Sequence, residues 1–161
     1  MYAEEDRTFV RAQLRRRLLL VAIPAALLMA VAVGVFVLCQ IRHQSWGWIF
    51  ACTVTIFVGV CFLFLDGVYI RPMRLYARHV EYMLTGRMRE TTGILTEVAD
   101  AAIDKDGVDC YAVNVNVGEK GDPQDDRLLY FDALKGRPNI QPGTRVTVLS
   151  NDKMIFEICT A

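Results

Sequence analysis

The sequence has little of what most enzyme sites are made from. Histidine occurs only at His43 and His79. Neither falls within residues 90–161, so a Ser-His or Cys-His pair has no histidine to use there. No Gly-x-Gly-x-x-Gly and no phosphate-loop pattern occurs, which removes the usual sequence signatures of dinucleotide and nucleotide binding. The five cysteines, Cys39, Cys52, Cys61, Cys110 and Cys159, include no Cys-x-x-Cys pair. Their odd number and spacing predict reduced thiols rather than disulfides or a zinc site. The expected catalytic, metal and cofactor sites are therefore none. The absence that organises the chain is a different one: two long stretches carry no charge at all.

The first runs from Leu18 to Gln40, 23 residues that at 1.5 Å per residue cover the roughly 30 Å hydrocarbon layer of a bilayer with some tilt. It shows no polar face, unlike a helix buried in a soluble core, and it is longer than the apolar run of a cleaved signal peptide. The second begins at about Trp46 and opens with Trp46 and Trp48, residues suited to a membrane–water boundary. Only Ile41–Ser45 lies between them, so the two spans, about 18–40 and 46–68, form a tight hairpin within residues 18–70.

Charge placement sets the expected orientation. Residues 1–89 hold eleven arginines against five acids, a net +6, and the remainder is −6. Arg7, Arg11, Arg15, Arg16 and Arg17 precede the first span, and Arg71, Arg74, Arg78, Arg87 and Arg89 follow the second. The positive-inside rule then puts both termini on the cytoplasmic side of a plasma (inner) membrane. Arg15, Arg16, Arg17, Arg71, Arg74 and Arg78 are the candidate lipid-headgroup contacts. Nucleic acid is not an expected partner, because the acidic half would repel phosphates.

Within the spans, Ala22, Ala26, Ala30 and Gly34 recur every fourth residue, as do Gly47, Ala51, Thr55 and Gly59. Small residues let helix backbones approach closely, so these two stripes are expected to face one another or, if turned outward, to drive self-association. Pro24 predicts a kink or loosened turn in the first span.

Residues 71–89 read as an amphipathic connector helix, with Pro72 in its first turn and Gly86 as its stop, following a basic segment at 1–17 and the hairpin. From residue 90 the period changes to two. Five runs alternate as strands do: 91–99, 109–117, 126–132, 144–150 and 153–159. Turn signals separate them at Asp106-Gly107, Gly121-Asp122-Pro123, Lys135-Gly136-Arg137-Pro138, Pro142-Gly143 and Asn151-Asp152. The expected fold class is an α+β membrane protein: a two-helix hairpin, a connector and a five-stranded small β-barrel of oligonucleotide-binding or Src-homology type, since closure removes exposed strand edges.

Asp104, Asp106 and Asp109 around Gly107 have the look of a calcium loop, but the position that should hold the closing glutamate is Val113, so a hairpin turn is expected. Leu128, Leu129, Tyr130 and Phe131 run consecutively, which forces large groups onto an outer face and marks a candidate protein contact.

A membrane hairpin followed by a small barrel resembles the NfeD-like membrane proteins, with GILTEV at 93–98 and QPGTRVTV at 141–148 carrying the residue-level likeness. The resemblance implies an interaction module for partner membrane proteins. A second resemblance, through YIRPMR at 69–74, TTGILTEV at 91–98 and KDGVD at 105–109, is to small-conductance mechanosensitive channels, although no polar-asparagine motif follows and the helix upstream of YIRPMR lacks their glycine–alanine pore pattern. The leading expectation is a non-enzymatic membrane accessory or scaffold protein whose partners are the bilayer, another membrane or cytoplasmic protein and, as a homo-oligomer, further copies of itself. The alternative is a small oligomeric channel or transport-complex component.

Overall fold

The computed structural model describes residues 2–118 and 122–160. Two compact units emerge: one is Phe9–Arg74, and the other joins the chain up to Thr8 with the chain from Leu75 onward.

The first unit is helical. Helix α1 spans Glu4–Ile41 and opens on Glu4, Glu5 and Asp6, whose charges suit the positive end of the helix dipole. It begins well before the apolar run, so the basic residues 7–17 are helical rather than a separate tail, and it runs through Pro24 without a break. Helix α2 spans Gly47–Leu65, and both helices are long and apolar enough to cross a membrane. In the link, Gln44 N–H donates to the Cys39 carbonyl at 2.8 Å, and the Trp46 indole N–H donates to Gln44 Oε1 at 3.0 Å. Gly47 lies against Cys39 so closely that a side chain there would strike the Cys39 Cβ, and this contact fixes the start of α2.

The shielded line along each helix differs from the expected one. Within the apolar run of α1 the covered positions are Val21, Ala25, Met29, Ala32, Val35, Phe36 and Cys39, and on α2 they are Gly47, Ala51, Val54, Val58 and Cys61. Ala32 is 2% exposed, which its own helix cannot achieve, and within this unit the other helix is what can cover it. Both sets recur at steps of mostly three or four, as residues on one face of a helix do. Ala22, Ala26, Ala30, Gly34, Thr55 and Gly59 are exposed instead, and nothing lies within 4 Å of a Cβ built on Gly34 or Gly59. The reason is angular: each step of four residues advances about 40° around a helix, so a strict i, i+4 series spirals off the seam after two members. Gly47 and Ala51 are those two members on α2.

After α2 the helix does not restart at Pro72. It widens into a π turn, Asp66–Ile70, and continues as α3, Arg71–Thr85, with Arg71 N–H reaching back to the Asp66 carbonyl. Pro72 has no N–H and its ring crowds the carbonyl of Val68, so the wider turn just ahead of it removes the conflict. Helix α3 ends where Gly86 N–H bonds to the Tyr82 carbonyl at 2.9 Å, and Gly86 packs directly on the Asn151 side chain.

The second unit is built on five strands: β1 Met88–Lys105, β2 Val108–Asn116, β3 Asp126–Asp132, β4 Arg145–Asn151 and β5 Met154–Thr160. The order of neighbours is β1-β2-β3-β5-β4, and β4 returns to β1, so the ring of pairings closes. All pairs are antiparallel except β3 with β5, which meet in parallel at Tyr130 and Met154. Strand β1 makes closure possible: its first part pairs with β4, its second with β2, and register shifts at Leu95/Glu97 and Val98/Ala102 bend it between them. Inside sit Leu95, Val113, Val115, Leu129, Val146, Val148 and Ile155, the inward members of the period-two runs. Asp106 and Gly107 form the two-residue turn between β1 and β2, both with positive φ (57° and 82°), and Gly107 N–H bonds to Asp104 Oδ1 at 3.0 Å. The acidic loop is thus a hairpin turn. The turn expected at Gly121-Asp122-Pro123 begins outside the described residues.

Candidate functional site

The most heavily engaged polar group of the β unit is Asp132, at the end of β3. It is 1% exposed, yet three donors converge on it. Tyr2 Oη donates to Oδ2 at 2.9 Å, Tyr76 Oη donates to the same oxygen at 2.9 Å, and Leu134 N–H donates to Oδ1 at 2.9 Å. Local sequence explains the last contact, because Asp132 caps the 3-10 turn Ala133–Lys135 with its side chain. The first two come from far away in the chain. Asp132 and Leu128 share the outward face of β3, where Asp132 pairs across with Cys110 of β2. Helix α3 and the segment before α1 cover that end.

Proton bookkeeping fixes the direction of each bond. Tyr2 Oη spends its one hydrogen on Asp132, so His79 Nε2, 3.0 Å away, must be the donor to Tyr2. His79 is therefore the Nε2–H tautomer, with Nδ1 left as an acceptor. Burial lowers the His79 pKa below its usual 6.5, and the Asp132 charge opposes that only in part. Burial raises the phenols of Tyr2 and Tyr76 well above 10, reinforced by the Asp132 charge and hydrogen bond. The Cys110 thiol is pushed up to about 12 by burial and then by Asp132. A thiol in that range stays protonated at neutral pH and is a poor nucleophile. Tyr2, Tyr76 and Cys110 keep their protons at neutral pH while His79 is held neutral, and the bonds among these groups join three segments.

The segment before α1 is fastened at further points. Tyr2 is 3% exposed, and its ring lies 5.8 Å from that of Phe156. Lys135 Nζ meets Asp6 Oδ2 at 2.8 Å and sits 5.1 Å from the Tyr2 ring centroid. Arg7 meets Glu81 at 2.9 Å.

Beside this clasp is an open cleft of about 460 Å³. Leu75, Arg78, His79 and Tyr82 line it from α3, Lys105, Asp106 and Val108 from the β1–β2 turn, and Asp152, Lys153 and Met154 from the β4–β5 turn. Among the described residues, no group of three or more His, Cys, Asp or Glu side chains is placed to hold a metal ion.

The residues expected from sequence fall in several places. Arg15, Arg16, Arg71 and Arg78 are exposed. Arg17 instead lies over the Tyr69 ring at 4.5 Å and donates to its carbonyl at 3.1 Å, and Arg74 pairs with Asp66 at 3.2 Å. The run from Leu128 to Phe131 divides by parity: Leu129 enters the core, Phe131 packs against it, Tyr130 is half-buried with Lys105 Nζ 5.9 Å from its ring, and Leu128 is 44% exposed. Tyr2, Tyr76, His79, Cys110 and Asp132 were not legible as a group. The nearest signal was Asp132 ending an alternating run ahead of Ala133-Leu134-Lys135, a capping pattern at a position where an exposed carboxylate would be the default. No protein-family profile, no curated protein and no solved structure matches this chain.

Proposed function

We propose that the chain is an integral membrane accessory protein: α1 and α2 cross the bilayer as a hairpin with both termini cytoplasmic, and the β unit is a protein-interaction module rather than an enzyme. The carrying observation is the outward face of the helices. Leu27 is 63% exposed, Ile56 67% and Leu63 73%, and each such side chain left in water costs about 1.5–3 kcal/mol relative to burial. Lipid tails remove that cost. The neighbour order β1-β2-β3-β5-β4 supports an oligonucleotide-binding-type barrel, an architecture that does not by itself dictate its ligand. Ile94 and Leu128, 46% and 44% exposed, lie on the outer side of the sheet on either side of β2, which gives a partner an apolar foothold.

The test has two stages. In sealed inverted and right-side-out vesicles, added protease should cut the β unit only when the cytoplasmic side faces out. A chain that stays soluble without detergent, or is cut in right-side-out vesicles, sinks the membrane reading. A photo-crosslinker at Leu128 should then trap a defined partner, and Ile94→Asp should abolish the adduct. Equal adduct yield from a crosslinker at Glu90 would remove the interaction reading while leaving membrane insertion intact.

A further inference from the structure

We propose that the cleft between α3 and the β1–β2 and β4–β5 turns is a binding site for a phosphate ester with an apolar edge. The argument stands on the β unit alone and depends neither on membrane insertion nor on a protein partner.

Three cations from three separate segments line one concavity: Arg78 from α3, Lys105 from the end of β1 and Lys153 from the β4–β5 turn. Among the described residues Arg78 and Lys153 form no ion pair, and Lys105 pairs only with its neighbour Asp106 at 3.0 Å. With Asp152 as the other acid, the cleft carries an excess of positive charge in a part of the chain that is −6 from residue 90 onward. Cations gathered on one concave wall repel one another, and an anion seated among them reverses the sign of that term.

The shape of the charge distribution selects the anion. A phosphate monoester carries about −1.5 to −2 at pH 7 and three acceptor oxygens, so it can meet a guanidinium fork and two ammonium groups together. A carboxylate brings two acceptor oxygens where a phosphate monoester brings three, so it can accept from fewer of the donors that Arg78, Lys105 and Lys153 present. Leu75, Val108 and Met154 supply the apolar wall, and the volume of about 460 Å³ falls within the range of small-ligand sites. His79 adds a directional element: its Nε2–H is committed to Tyr2, which leaves Nδ1 to accept a hydrogen bond from a hydroxyl or amide of the ligand. The phosphate ester has two possible sources, a free metabolite or the headgroup of an anionic lipid, and both present the same group to the cleft.

The experiment uses the full chain in phosphatidylcholine nanodiscs, titrated calorimetrically with phenyl phosphate, inorganic phosphate and phenol. Phenyl phosphate should bind more tightly than inorganic phosphate, and phenol should give no heat. The Arg78→Gln/Lys153→Gln variant should bind at least tenfold more weakly with an unchanged near-ultraviolet spectrum, since both side chains are exposed; the single Lys153→Gln variant, at a turn tip, serves if the double variant fails to fold. In a second arm, phosphatidic acid in the nanodisc should suppress the phenyl phosphate signal if the source is lipid and leave it intact if the source is free. No binding in either arm, binding that ignores both variants, phenol matching phenyl phosphate, or preference for a glutamate-rich peptide overturns the proposal.

Discussion

In the helical hairpin many large apolar side chains stand exposed, Leu27, Ile56 and Leu63 among them, while Ala32 and Gly47 are covered. In the β unit the arrangement is reversed, with Leu95, Val113 and Ile155 enclosed and charged residues outside. Each unit is coherent with a different solvent. In the bilayer proposed above, lipid tails are as oily as the side chains, so nothing is gained by hiding leucine. Where the surroundings are water, enclosed leucine and valine supply the cohesion, and a buried polar group is tolerated only if its bonds are complete, as those of Asp132 are.

That contrast can be broken most forcefully at Asp132. Replacing it with alanine removes the acceptor shared by the Tyr2 and Tyr76 hydroxyls and the cap on the Leu134 N–H, and because Tyr2 keeps His79 and Tyr76 is only half-buried, the β unit should lose about 2–3 kcal/mol in denaturant titration. A loss under 1 kcal/mol would mean that the clasp is an ornament on an already stable barrel. The hairpin offers the opposite experiment, because there enlargement should do the harm. Ala32→Leu should weaken the hairpin by about 1–3 kcal/mol through overpacking, whereas Ala30→Leu, on the exposed face, should change its unfolding in mixed micelles by less than about 0.5 kcal/mol. Equal effects at the two positions would put the seam elsewhere. A smaller change, Tyr2→Phe, keeps the ring against Phe156 but removes one bond to Asp132 and the acceptor of His79, and should cost about 1 kcal/mol.

The gentlest probe is pH. His79 titrates lower in the folded state than in the unfolded chain, so its contribution is complete above about 6.5 and drains away as pH falls from there through the depressed folded value. Tyr2 and Tyr76 titrate higher when folded, so their contributions are complete below about 10 and decline as pH rises beyond it. Stability of the β unit should therefore form a plateau between those limits, with the acid shoulder absent in His79→Gln. An acid shoulder that persists unchanged in that variant assigns it to other groups.

Much of this was legible in the residues. Length and the lack of charge marked both long helices, and period-two alternation placed β2, β3, β4 and β5 to within one residue and found the first half of β1, because burial on one face writes itself directly into a strand. The second half of β1 escaped notice, since Ala99, Asp100, Ala101 and Ala102 lack the branched side chains that signal a strand, and its conformation comes from pairing with β2 instead. Of the two placements open to the small-residue stripes, Ala22, Ala26, Ala30, Gly34, Thr55 and Gly59 take the outward one and Gly47 and Ala51 the covered one, a choice that a repeat of four does not encode. The clasp was hidden for another reason: Tyr2, Tyr76 and His79 meet Asp132 only after the barrel has closed, and no local pattern encodes a meeting across such separations.

Tyr2 and Asp132 lie 130 positions apart, and Tyr76 and Asp132 lie 56 apart. During synthesis the first tyrosine emerges long before its acceptor exists, and the loop that their union closes contains both long helices. Such distant joints form late and slowly. The order of assembly that follows is helices first, strands next and the leading segment last, so that a nascent chain stalled before residue 132 would carry an unfastened front end for any chaperone or protease to find.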